Sequence, residues 1–145
     1  MFEKLNYIEL SGERYPIKCD LLVLERIQDY YGDLSEYESK LTGFVPDRDE
    51  AGEYVRNEDG MLVGTRKTPE IKILKNSLKW MIEEGVEIAK DAGEEYGAID
   101  ETAIMRKVDV SPGELGRILH EEFNRCFQRK NGQTTQGKKM ENPKK

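Results

Sequence analysis

The chain has 145 residues, of which 37% are apolar and 36% charged, and a net charge of −6. This is the size of one ordinary domain, with a modest core and a heavily solvated surface. Six bases and one acid from Gln128 onward give +5 there and leave −11 on residues 1–127. So acidic a body repels phosphate backbones and argues against a nucleic-acid-binding domain.

The opening residues lack the apolar run of a signal peptide, and nothing approaches the ~18 apolar residues of a membrane span. A cytosolic chain with no membrane partner is expected. Asn6–Leu10 and Arg14–Cys19 alternate as two strands joined at Ser11-Gly12-Glu13. Ile8 and Leu10 face the core from the first, and Tyr15, Ile17 and Cys19 from the second. Pro16 cannot donate to a ladder, so the second strand lies at an edge or turns that position outward. Asp20 caps a helix carrying Leu21, Leu24, Ile27 and Tyr31 on one stripe, and Gly32 ends it. Ser35 and Glu38 make a capping box for a second, short helix that stops near Gly43. Residues 44–67 are rich in Asp, Glu, Arg and Gly and read as an exposed acidic loop or hairpin, with a turn at Asp59-Gly60.

Thr68, Pro69 and Glu70 then open a helix, with Thr68 as N-cap, and Gly85 offers its stop. Ile71, Leu74, Leu78, Met81 and Ile82 form one apolar stripe, while Ile73 and Trp80 stand together on the opposite side. That second face is either a further core layer or a surface kept for a partner. Lys90–Gly97 reads as a loop. Asp100 caps a short helix over Glu101–Lys107, and Ser111, Pro112 and Glu114 open the last one. Its stripe is Leu115, Ile118, Leu119, Phe123, Cys126 and Phe127. Residues 131–145 are polar and aperiodic, a disordered basic tail beyond a single globular domain at 1–130. No internal repeat is evident. The expected fold is α+β, mainly helical, with an N-terminal β-hairpin packed on a small helical bundle.

Candidate chemistry is thin. Asp47–Glu58 matches a calcium loop at its first, third, sixth and twelfth positions, but Ala51 stands where an oxygen ligand belongs and Pro46 breaks the entering helix. His120 is the only histidine, and Asn124 takes the place of the second histidine of a zinc-peptidase helix. Cys19 and Cys126 are each set in apolar sequence and are expected to be free buried thiols. Glu83, Glu84, Glu87, Asp91, Glu94 and Glu95 could hold magnesium or do acid–base work, but acid runs are usually solvated faces. The glycines form no phosphate loop. No catalytic residue, metal or cofactor is assigned, and an enzyme is not expected.

The order of the pieces carries a resemblance. An IEL-x-G-x-x-YPIK hairpin (Ile8–Lys18) runs into a helix ending at Tyr31-Gly32, followed by an acidic variable loop. Then come the TPEIKILKNSLKWMIEEGVEIA helix (Thr68–Ala89), with its MIEEG segment, and an LGRIL helix (Leu115–Leu119) before a basic tail. Over residues 6–130 the chain resembles the tail assembly chaperones of long-tailed bacteriophages and related prophages. The resemblance implies a non-enzymatic protein of the host cytoplasm that binds the tape measure protein and keeps it soluble. Tail tube protein then displaces it, so it is absent from the mature virion. The covering surface is expected at Ile73 and Trp80 with Phe127, and the Trp80 face could also serve a homo-oligomer. Two other classes stand beside this: a structural tail component, such as a tail completion or neck protein, and a small hydrolase or nuclease working through the acidic cluster.

Overall fold

In the computed structural model, which describes residues 5–128, the chain first reverses at Ser11-Gly12. Both have positive φ, 51° and 82°, the twist that a two-residue hairpin turn requires. The turn joins β1 (Asn6–Leu10) to β2 (Glu13–Ile17) with Leu10 opposite Glu13 and Tyr7 opposite Pro16. Hydrogen-bonded pairs alternate along an antiparallel ladder, so Tyr7–Pro16 is a non-bonded pair and the missing N–H costs β1 nothing. Pro16 is nevertheless buried, not turned outward. Its carbonyl faces a helix, as described below.

Asp20 accepts a hydrogen bond from the Val23 N–H and caps α1 (Leu21–Tyr31), and Gly32 closes it at φ 90°. The core residues are Val23, Leu24 and Ile27; Leu21, expected on the stripe, is 78% exposed because it lies at the first helical position. The next helix, α2 (Leu34–Thr42), starts two residues earlier than expected. Asp33 accepts from the Ser35 N–H at 2.8 Å and takes the cap that Ser35 was expected to supply. Glu38, freed from a capping box, meets His120 Nε2 at 2.6 Å instead.

Residues 44–66 are an ordered branch. β3 (Phe44–Pro46) and β4 (Gly64–Arg66) pair as a short antiparallel stem. Beyond it the chain makes two hairpin arms, with bridges at Arg48–Tyr54 and Arg56–Leu62. The arms are an internal repeat that the sequence reading missed: Arg-Asp-Glu-Ala-Gly-Glu-Tyr-Val (48–55) and Arg-Asn-Glu-Asp-Gly-Met-Leu-Val (56–63). In each, the Asp49 or Asn57 side-chain oxygen accepts two backbone N–H groups of the turn. In each, the arginine Nη1 donates to the turn glycine's carbonyl at 2.9 Å. Stem and arms meet in a ring of backbone hydrogen bonds, Asp47 N to Val63 O, Val63 N to Val55 O and Val55 N to Asp47 O. The calcium-loop match therefore spans one arm and the start of the next, with Asp49 bound to its own turn.

α3 (Ile71–Asp91) is the central helix, touching β2, α1, α2 and α5. Thr68 does not cap it. Glu70 occupies the cap position without a side-chain bond, and its N–H reaches back to the Lys40 carbonyl at 3.1 Å. Nor does Gly85 stop it, since the helix continues to Asp91 with Val86 and Ala89 buried. Gly85 is instead a place of close approach: a Cβ there would stand 2.4 Å from the Pro16 carbonyl oxygen. One turn earlier the Lys18 N–H donates to the Met81 carbonyl at 3.0 Å. The outer edge of β2 thus lies directly on the helix backbone.

α4 (Glu101–Lys107) and α5 (Pro112–Arg125) start as expected, on Asp100 and Ser111 caps with Pro112 in the first turn. Glu122, 1% exposed, ties α5 to the N-terminal hairpin. It accepts from Asn6 Nδ2 and from the Cys19 N–H, both at 3.1 Å, and from Arg125 Nη1 at 2.6 Å. The fold is therefore α+β and mainly helical, with the hairpin seated on α3 and tied to α5 through Glu122. The basic tail at 131–145 lies outside the described residues.

Gly85→Ala separates two physical accounts. Helix propensity alone favours alanine by about 1 kcal/mol, whereas intrusion into a backbone contact costs about 1–3 kcal/mol. We expect a lower midpoint in chemical denaturation; an unchanged or higher one would show that the contact yields without cost.

Candidate partner-binding surface

Of the three residues expected to meet a partner, two are core. Ile73 is 0% and Trp80 7% exposed. The Trp80 ring lies 5.7 Å from Tyr30 and 6.1 Å from Tyr31, with the Arg26 guanidinium 5.4 Å above it. The second face of α3 is covered by α1 and α2, so the partner-surface reading of Ile73 and Trp80 is overturned. Phe127 is exposed, at 60%, and leans edge-on against Phe123 at 5.2 Å. Trp80→Ala is accordingly expected to cost stability, about 3–5 kcal/mol by cavity formation. Thermal unfolding checks this; a mutant melting with the wild type would return Trp80 to the surface.

The histidine, the cysteines and part of the acidic cluster are engaged within the fold. His120 pairs with Glu38 and stacks over Phe123. Cys19 and Cys126, both free, meet across the hairpin and the end of α5, and burial pushes both thiols up. Among the described residues no three His, Cys, Asp or Glu side chains gather as metal ligands. In the acidic cluster Glu83 pairs with Arg26 at 3.0 Å and Glu87 with Lys90 at 3.8 Å. Burial, followed by a hydrogen bond to Asp20 and its charge, pushes Glu84 up to about 7. The folded chain holds that proton far above the ordinary carboxyl value of 4.5. Stability from this group is thus greatest in acid and is lost as pH rises toward and through about 7. We expect Glu84→Gln to flatten the dependence of the unfolding midpoint on pH between about 5 and 8; an unaltered slope would assign the effect elsewhere.

Apolar surface open to a partner lies elsewhere among the described residues. Leu21 and Leu22 at the start of α1 are 78% and 62% exposed, beside a shallow hollow that Leu34 also lines. A second, narrower groove of about 250 Å³ runs between the first turns of α3 and the α4–α5 connection. Leu74, Met105, Val108, Val110 and Leu115 form its apolar surface, Ile71 stands at its lip 51% exposed, and Lys75 lines one side. The α3 stripe was expected to bury Ile71 in the core. The structure leaves it facing the groove because α4 is short and turns away at Val108. Sequence reading missed Met105, Val108 and Val110. Their signal was a cluster of apolar residues in a short helix and a connection, with no stripe of their own to join.

Fold and groove define a small α+β, mainly helical domain with open apolar surface on a charged exterior. Comparison with protein-family models, curated proteins and solved structures gives no match. Among the described residues no helix is long and apolar enough to cross a membrane.

Proposed function

We propose that the chain is a phage tail assembly chaperone that covers apolar stripes of the tape measure protein until tail-tube polymerisation. The observation that carries this reading is the coexistence of an open apolar groove with a body of charge −11 over residues 1–127. A long helical chain with apolar stripes aggregates when bare, and a groove that accepts such a stripe removes it from water. The acidic body then adds charge and solubility to the complex. Release to the tail tube protein asks for moderate affinity, in keeping with a small groove and not a large obligate interface. Glu83 and Glu87 are held in ion pairs with Arg26 and Lys90, which favours a binding role over a hydrolase using those two acids.

The branch at 44–66 gives the structural-component reading an observation of its own. Its arms carry Tyr54, Met61 and Leu62, all exposed, as a subunit held permanently by its neighbours could. Co-expression with the neighbouring tape measure protein tests the proposal. A soluble complex, with the tape measure insoluble when expressed alone, is expected. A tape measure that stays insoluble, together with this chain in purified particles, would favour the structural component.

A further inference from the structure

The groove between α3 and the α4–α5 connection has a charge as well as a shape. α3 holds Lys72, Lys75 and Lys79 and no acid from Ile71 to Ile82, then Glu83, Glu84, Glu87 and Asp91 with Lys90 in its second half. A helix dipole favours the reverse, acids first and bases last. The arrangement therefore does not serve the helix. Lys79 is paired with Glu101 at 3.3 Å, whereas Lys72 and Lys75 are exposed and meet no acid among the described residues. Lys75 lines the groove and Lys72 follows Ile71 one turn before it, so two cations outside any ion pair among the described residues stand on the helix that forms one wall of the groove. The groove, at about 250 Å³, falls below the ~300–1,000 Å³ of small-molecule pockets. Its scale suits the side-chain anchors of a helix.

We infer that this groove binds an amphipathic helix whose apolar stripe is flanked by acidic residues. Anchors at i, i+3 and i+4 pack on Leu74, Met105, Val108 and Leu115, and the flanking carboxylates meet Lys72 and Lys75. A stripe flanked by bases loses those pairs and brings like charge to the lysines, which makes the site selective. The inference deepens the chaperone reading and rests on it only for where such a helix comes from.

The test uses the full chain, isotope-labelled, and two synthetic helices about five turns long. Both carry the same leucine stripe, one flanked by glutamate and the other by lysine. The glutamate helix is expected to shift the signals of Ile71, Leu74, Val108, Val110 and Leu115 and to bind about tenfold more tightly than the lysine helix, with affinity falling as salt rises. The double variant Lys72→Glu/Lys75→Glu, altered only at exposed positions, should keep or raise its unfolding midpoint, since acids suit the start of a helix, and reverse that preference. Shifts centred on Leu21 and Leu22, or equal binding of both helices, would overturn the inference. The same variant separates it from the chaperone reading in co-expression. If the glutamate helix fills the groove while the tape measure stays insoluble, the groove stands and the chaperone reading falls. If a soluble complex forms and the double variant leaves it unchanged, the groove assignment falls and the chaperone reading stands.

Discussion

Helix α3 and the outer edge of β2 touch backbone to backbone, and the other elements are arranged around that contact. A helix normally presents side chains to a neighbour and keeps axes or strands several ångströms further off. Here the absent side chain at Gly85 uncovers the Met81 carbonyl one turn back, and the Lys18 N–H fills the space. An edge strand, which would otherwise leave a row of unpaired groups, is closed by a helix carbonyl instead of a third strand. Pro16 suits the same edge because it removes a donor that the helix surface could not satisfy.

Once the hairpin is seated on α3, its far end must be held, and a buried carboxylate does this. Glu122 collects a side-chain amide from β1, a backbone N–H from the β2–α1 connection and a guanidinium from its own helix. A lone buried charge is costly, but three donors on two oxygens leave little of its hydrogen-bonding capacity unmet. Because the amide and the backbone N–H come from segments more than a hundred residues away along the chain, the arrangement forms only when hairpin and last helix are both in place. On the opposite face of α3, α1 and α2 cover Ile73 and Trp80, which is why both are lost to a partner.

Local chemistry was legible wherever one residue decides the outcome. Asp20 and Gly32 bound α1, and Asp100 and Ser111 start the last two helices, because caps act over three residues and need no tertiary context. The errors arose where two local signals competed or a distant element decided. Asp33 and Ser35 both offer a cap, and the aspartate, nearer the end of α1, is used. Gly85 reads as a helix stop until a strand is placed against it. Ile73 and Trp80 were correctly separated from the main stripe, but burial of both faces depends on how α1 and α2 fold over. The groove residues Met105, Val108 and Val110 carry no period at all. The arm repeat was obscured by paired substitutions, Asp for Asn and Tyr for Leu, that keep the same backbone role.

The junction of the branch has a genealogical consequence. Asp47, Val55 and Val63 are equivalent ring positions eight residues apart, so excising 48–55 leaves Pro46 opposite Gly64, Asp47 opposite Val63 and Arg56 opposite Leu62. That is one uninterrupted hairpin in correct register. Excising 56–63 leaves another, built on Arg48 and Tyr54. The ancestral form can therefore be a plain hairpin in which a stretch of eight codons was copied in frame, the copy springing out sideways without disturbing the stem. Descendants of one gene could carry one arm, two or more on the same body, and the surface they present would vary between lineages while the helices beneath stayed as they are.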